Sequence, residues 1–176
     1  MTTIFNGVRK GDVVLAVLAT ALGVALMLEN IVAGPDAGVR IDSHSWLSVP
    51  VFALATLPIL WRRRSMLGVC LVTAAALALH VIAFGWLVRC GAGLPLAFAL
   101  AYGAGRLLDG WRAWVGLLAV TAIQVLVLVE DSAAGLDVVP FTAVIGAVIW
   151  GVGMWVRRRA SRGVAVGAPA PAVAKA

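Results

Sequence analysis

Apolar residues fill six long blocks of this chain, at 13–32, 46–61, 65–88, 91–108, 113–129 and 138–156, and every charge except Glu29 and Arg106 falls outside them. About 20 apolar residues in a helix are enough to cross the hydrocarbon core of a bilayer. The block at 65–88 is the longest uncharged one and reaches across with residues to spare. The block at 46–61 carries a proline near each end, Pro50 and Pro58. A membrane helix accommodates both when its neighbours satisfy the freed carbonyls. The pattern therefore predicts an all-α fold, a polytopic integral membrane bundle of about six transmembrane helices. The chain divides into a leader at 1–12, a six-helix transmembrane domain at 13–156, and a tail at 157–176 that is basic and then disordered, with repeated Ala-Pro steps. A positive leader ahead of an apolar block also describes a secretory signal. The block at 13–32 exceeds the usual apolar core of about 7–15 residues, so a retained first helix is expected.

Direction follows from Arg62, Arg63 and Arg64, which interrupt the apolar pattern between the second and third blocks. Three adjacent guanidinium groups do not sit in hydrocarbon, and the positive-inside bias puts their turn in the cytoplasm. With six spans and both termini inside, Arg9, Lys10, Arg62–Arg64, Arg106, Arg112, Arg157, Arg158, Arg159, Arg162 and Lys175 all fall on the cytoplasmic side, and only Arg40 and Arg89 fall outside. The expected orientation is N-in/C-in, in a bacterial cytoplasmic membrane. The tryptophans agree: Trp46 and Trp86 mark the outer boundary, Trp61, Trp111, Trp114 and Trp155 the inner one, and Trp150 lies deeper.

Composition sharpens this picture. The chain is 62% hydrophobic and 12% charged, against roughly 45–50% and about 25% in soluble domains. Its net charge of +6 would otherwise point to nucleic acid. Because the charges lie in short clusters between apolar blocks, anionic lipid headgroups are the expected partner and nucleic acid is not. Cys70 and Cys90 bracket one block, about 30 Å apart along a helix, too far for a disulfide. No cofactor or metal ligand set is evident, and no catalytic dyad.

Polar side chains within the blocks are the candidates for function, because burying them in a membrane is costly. Glu29 and Asn30 lie near the outer end of the first helix, His80 in the outer third of the third, and Gln124 in the middle of the fifth. Glu29 and His80 differ in depth by only about 4–5 Å on helical rise, and Arg89 is at the same boundary. They form either a shared cluster of Glu29, His80 and Arg89 or three residues that each meet water or a carbonyl separately. Gln124 is expected to bond between helices, and Asp109–Arg112 to form a solvated turn. Small residues four apart give two predicted contact faces, Ala97, Ala101 and Gly105 on the fourth helix and Ala143, Ala147 and Gly151 on the sixth.

The segments 57–64 (LPILWRRR) and 99–106 (ALAYGAGR), an acidic outer loop, and a last helix leaving through 155–159 (WVRRR) make residues 10–160 resemble the N-terminal multi-pass membrane sensor domain of bacterial two-component sensor histidine kinases. The chain departs from that pattern at Ser65-Met66, where the family commonly has a proline after the arginine turn. The resemblance implies a sensor-like module. His44 and His80 are not placed as a phospho-acceptor and no ATP-binding segment follows, so the expectation is a stand-alone, non-catalytic module that signals through itself or a separate signalling protein. A small oligomeric transporter and a membrane-structural protein with no ligand are the alternatives.

Overall fold

The computed structural model describes residues 8–34 and 38–166, with side chains as far as 162. Among these residues the chain is all-helical: α1 Lys10–Val32, α2 Ser48–Thr56, α3 Met66–Phe84, α4 Cys90–Leu107, α5 Gly110–Leu128 and α6 Val139–Val166. Lys10–Val32, Met66–Phe84, Gly110–Leu128 and Leu136–Arg162 are long and apolar enough to cross a membrane, and Ser48–Trp61 is a shorter apolar segment. Most of the leader at 1–12 and the end of the tail at 167–176 lie outside the described residues.

Local chemistry sets the helix ends. Arg9 caps α1, and its backbone N–H donates to the Asp12 carboxylate at 3.1 Å. α2 gives way to a 3₁₀ turn at Leu57–Trp61, where Pro58 has no N–H for the α-helical ladder. Ser65 caps α3, its Oγ accepting from the Gly68 N–H. α3 stops at Gly85, whose φ of 62° and ψ of −139° suit a residue without a Cβ. Pro140 sits in the first turn of α6, where a missing N–H leaves no helical bond unmade.

α4 is the central helix. It packs against α6, α5, α1 and α3, and its buried positions include Ala97, Ala101, Ala104 and Gly105. Such small residues let helix backbones come close where lipid offers no hydrophobic driving force. A Cβ added at Gly105 would sit 2.0 Å from the Trp150 carbonyl oxygen of α6, so the backbones touch there. Around this centre large apolar side chains also cover the outside, and several polar ones join the apolar core. Ile82, Leu71, Leu118 and Phe141 are exposed outward, while Thr56, Thr73, His80, Arg89, Gln124 and Asp131 are buried. An apolar exterior of this kind suits a hydrocarbon surround.

Three details differ from the expectation. The buried face of α6 is Thr142, Gly146, Trp150 and Gly153 rather than Ala143, Ala147 and Gly151; Gly151 has no neighbour where its Cβ would be. The bulky Trp150 turns inward because its indole N–H donates to the Ala113 carbonyl at 3.1 Å, which rotates the contact stripe by one residue. α6 also continues through Arg157, Arg158 and Arg159 to Val166, ten residues beyond the boundary drawn at 156. Finally, Asp109 is the N-cap of α5, and Trp111 and Arg112 belong to its first turn rather than to a separate polar turn.

Candidate functional site

At the end of the bundle where α3 leads into α4, four separate parts of the chain are tied together through polar groups, Asn30, Arg89 and Asp131 among them buried. The connection between the helices turns at Gly85 and then runs extended past Leu87, which pairs with the 130–132 loop through Leu87 N–H to the Glu130 carbonyl (3.3 Å) and Ser132 N–H to the Leu87 carbonyl (3.1 Å). Asn30 of α1 grips the same connection. Its Nδ2 donates to the Val88 carbonyl at 2.9 Å and its Oδ1 accepts from the Val88 N–H at 3.1 Å. Asp42, in the loop after α1, exchanges bonds with both backbone groups of Trp86.

Arg89 fills the centre with no exposed surface. Its Nε donates to His80 Nδ1 at 3.1 Å, its Nη1 to the Glu130 carbonyl at 2.9 Å, and its Nη2 to the Gly85 carbonyl. Asp131 supplies the opposite charge by another route. One of its oxygens accepts from the backbone N–H groups of Arg89 (2.6 Å) and Cys90 (2.7 Å), and the other from those of Ala133 and Ala134. A carboxylate from a distant loop thus caps the N-terminus of α4, where the helix dipole favours negative charge.

The hydrogen bond fixes the state of His80. An arginine side chain only donates, so Nδ1 must be an unprotonated acceptor and the neutral ring carries its hydrogen on Nε2. The ring lies against Phe52 (centroids 5.5 Å apart) and Phe84 (4.9 Å), so aromatic rings from α2 and α3 close the site on its apolar side. Nε2 is buried and makes no hydrogen bond of ordinary geometry. A proton arriving at Nδ1 would break the bond to Arg89 and set two cations side by side. Chemically, the site is a neutral imidazole bonded to a buried guanidinium, beside a carboxylate that caps α4.

Of the expected cluster, the structure brings His80 and Arg89 into contact and leaves Glu29 exposed on the outer surface of α1. The reason is helical rotation. Ala16, Gly23, Met27 and Asn30 form the buried stripe of α1, and Glu29 lies about 100° away from Asn30. Asp131 was not foreseen, since in sequence it is one of several acids in a polar loop. Gln124 bridges α5 to α6 through Nε2 to the Thr142 carbonyl at 3.2 Å. Cys70 and Cys90 are both free.

The opposite end holds the basic clusters. Asp12 is buried and accepts from Arg62 Nε (2.7 Å) and Arg63 Nε (2.7 Å), which latches the start of α1 to the arginine turn. Asp12 was likewise not foreseen, because its partners are some fifty residues away in sequence. Arg157 of α6 pairs with Asp109 at 2.7 Å. Among the described residues no three His, Cys, Asp or Glu side chains are grouped to hold a metal ion. No protein-family model matches the chain, and comparison with curated proteins and with solved structures gives no match.

Proposed function

We propose that the chain is a six-span, N-in/C-in membrane signalling module, non-catalytic itself, which relays the state of the Arg89–His80–Asp131 network to the cytoplasmic end of α6 and from there to a partner protein. The resemblance to histidine-kinase sensor domains motivates the class of function, and a bacterial cytoplasmic membrane is the location it carries with it. Orientation rests on the arginines and lysines, gathered at the Asp12–Arg62 and Asp109–Arg157 end of the bundle.

The observation that carries the relay is a continuous path of packed helices. Asp131 and Arg89 cap α4, which runs about 27 Å at helical rise. α4 in turn packs closely along α6, and α6 continues unbroken past the basic exit to Val166. The mid-depth polar groups bond within the bundle: Thr20 with Thr56, Thr73 with the Ala55 carbonyl, and Gln124 with the Thr142 carbonyl. That pattern favours a relay over a permeation path.

The test is backbone hydrogen exchange at 155–162 in the full chain in nanodiscs, with Arg89→Gln compared with wild type. A severalfold change in protection at the far end supports the relay. Unchanged protection there, with altered protection only near Arg89, ends it. For the partner, co-purification from host membranes is expected to recover a signalling protein whose retention depends on Arg157, Arg158 and Arg159; recovery of none removes the signalling reading.

A further inference from the structure

Where the arginine turn enters α3, the chain encloses a recess of about 280 Å³ against the junction of α4 and α5. Arg62, Arg63, Arg64 and Arg112 are among its lining residues, with Leu107 and Leu108 on its apolar side. A recess of this size has room for a phosphate group.

Charge at the recess is far from balanced. Asp12 pairs with Arg62 and Arg63, and among the described residues no carboxylate pairs with Arg64 or Arg112. Four cations less one carboxylate leave three positive charges around one small cavity. The Asp12 pairing also holds the Arg62 and Arg63 side chains in place, so these two donors are ordered before any ligand arrives. The first turn of α3 opens on the same space. The N–H groups of Met66 and Leu67 have no carbonyl four residues back within the helix, and the positive end of its dipole is there. Planar guanidinium forks match the oxygens of phosphate in pairs, as lysine ammonium groups do not. Trp111, beside Arg112 at the start of α5, is exposed, as interfacial tryptophans are.

We propose that this recess is a binding site for a phosphate-bearing anion of two or more negative charges, held by Arg64 and Arg112 together with the preordered pair Arg62 and Arg63. The site does not depend on the signalling relay. Two sources carry that chemistry: a diphosphatidyl lipid headgroup reaching in from the bilayer, and a soluble diphosphate from the aqueous side.

The experiment uses the full chain in phosphatidylcholine nanodiscs. One arm adds cardiolipin in steps, with phosphatidylglycerol at matched charge as reference, and counts bound lipid by native mass spectrometry. The other titrates inorganic pyrophosphate and reads heat. The proposal expects saturable binding in at least one arm, weakened tenfold or more in the double variant Arg64→Gln/Arg112→Gln and less than threefold in Arg106→Gln/Arg158→Gln, whose charges lie at the same end outside the recess. Binding of cardiolipin alone assigns the lipid source; binding of pyrophosphate, alone or with cardiolipin, assigns the soluble one. Each single variant is expected to weaken binding threefold or more, so a folding defect in the double variant leaves the test intact. Absence of saturable binding in both arms overturns the proposal. So does equal weakening in the two double variants, which is the mark of diffuse surface charge.

Discussion

Arg89 has no exposed surface, and each nitrogen of its guanidinium bonds to an uncharged acceptor: an imidazole and two backbone carbonyls. Replacing it with methionine keeps the bulk and removes every donor. The Glu130 carbonyl would keep the Leu87 N–H, but His80 Nδ1 and the Gly85 carbonyl would be left bare. At about 1–3 kcal/mol for each buried group left unpaired, Arg89→Met is expected to lose roughly 2–6 kcal/mol, measured by unfolding in mixed micelles. A loss below about 1 kcal/mol would mean that water reaches the site. Asp42 gives the corresponding expectation for pH. The Arg40 guanidinium bonded to it, aided by the Trp86 N–H, holds its carboxyl below the ordinary value of 3.8 despite the opposing effect of desolvation. A depressed acid contributes stability that is fully present above its unfolded value and is lost as pH falls through its folded one. The loop after α1 is thus expected to stay fastened to the 85–87 connection at neutral pH and to release only below pH 3.8. Exchange of the Trp86 amide checks this, and Asp42→Asn should abolish the acid dependence. At this scale the sequence named His80 and Arg89 by type and depth. It did not separate Asn30 from Glu29, because adjacent positions on a helix differ by a rotation that only the neighbours make meaningful.

At the scale of elements, the α4–α6 contact is the one that small residues make possible. Gly105 and Gly151 are both helical glycines in these two helices, yet their surroundings are opposite. A Cβ on Gly105 meets backbone of α6 at 2.0 Å, and one on Gly151 meets nothing within 4 Å. Gly105→Ala is therefore expected to force the helices apart and destabilise by about 3 kcal/mol, the upper part of the usual overpacking range. Gly151→Ala should be neutral or gain up to about 0.5–1 kcal/mol from the lower backbone entropy of alanine. Thermal unfolding of both variants in one detergent checks the pair, and equal effects would show that the helices do not meet as described. The small-residue pattern found the right face of α4. On α6 it was one residue out of register, since Ala and Gly recur often enough there to mark two stripes and only the Trp150–Ala113 bond selects between them.

At the scale of the whole molecule, Arg62 and Arg63 hold Asp12 and, in the proposed orientation, also carry positive-inside charge. Neutralising Arg62, Arg63 and Arg64 together is expected to weaken orientation, with a reporter after Arg162 changing from wholly cytoplasmic to mixed and one near Asp131 losing its wholly external signal. Asp12→Asn separates the two roles. It keeps every positive charge, so orientation should hold, while stability falls by about 1–3 kcal/mol, less than for a fully buried pair because Arg62 and Arg63 remain 15% and 28% exposed. Unchanged reporters in the triple variant would show that the remaining basic residues are sufficient for orientation. By itself the sequence determined the helical class, the position of the apolar segments to within a few residues, and the separation of basic clusters from the rest. Those properties are set by the balance between hydrocarbon and water, which acts on each segment separately and is written in local composition. Only the tertiary structure decided that Asp131 caps α4, that Asp12 latches the arginine turn, that Asn30 rather than Glu29 faces inward, and that four arginines enclose a recess. Each of these depends on which helices touch and at what rotation, and that is fixed by packing between residues far apart in the chain.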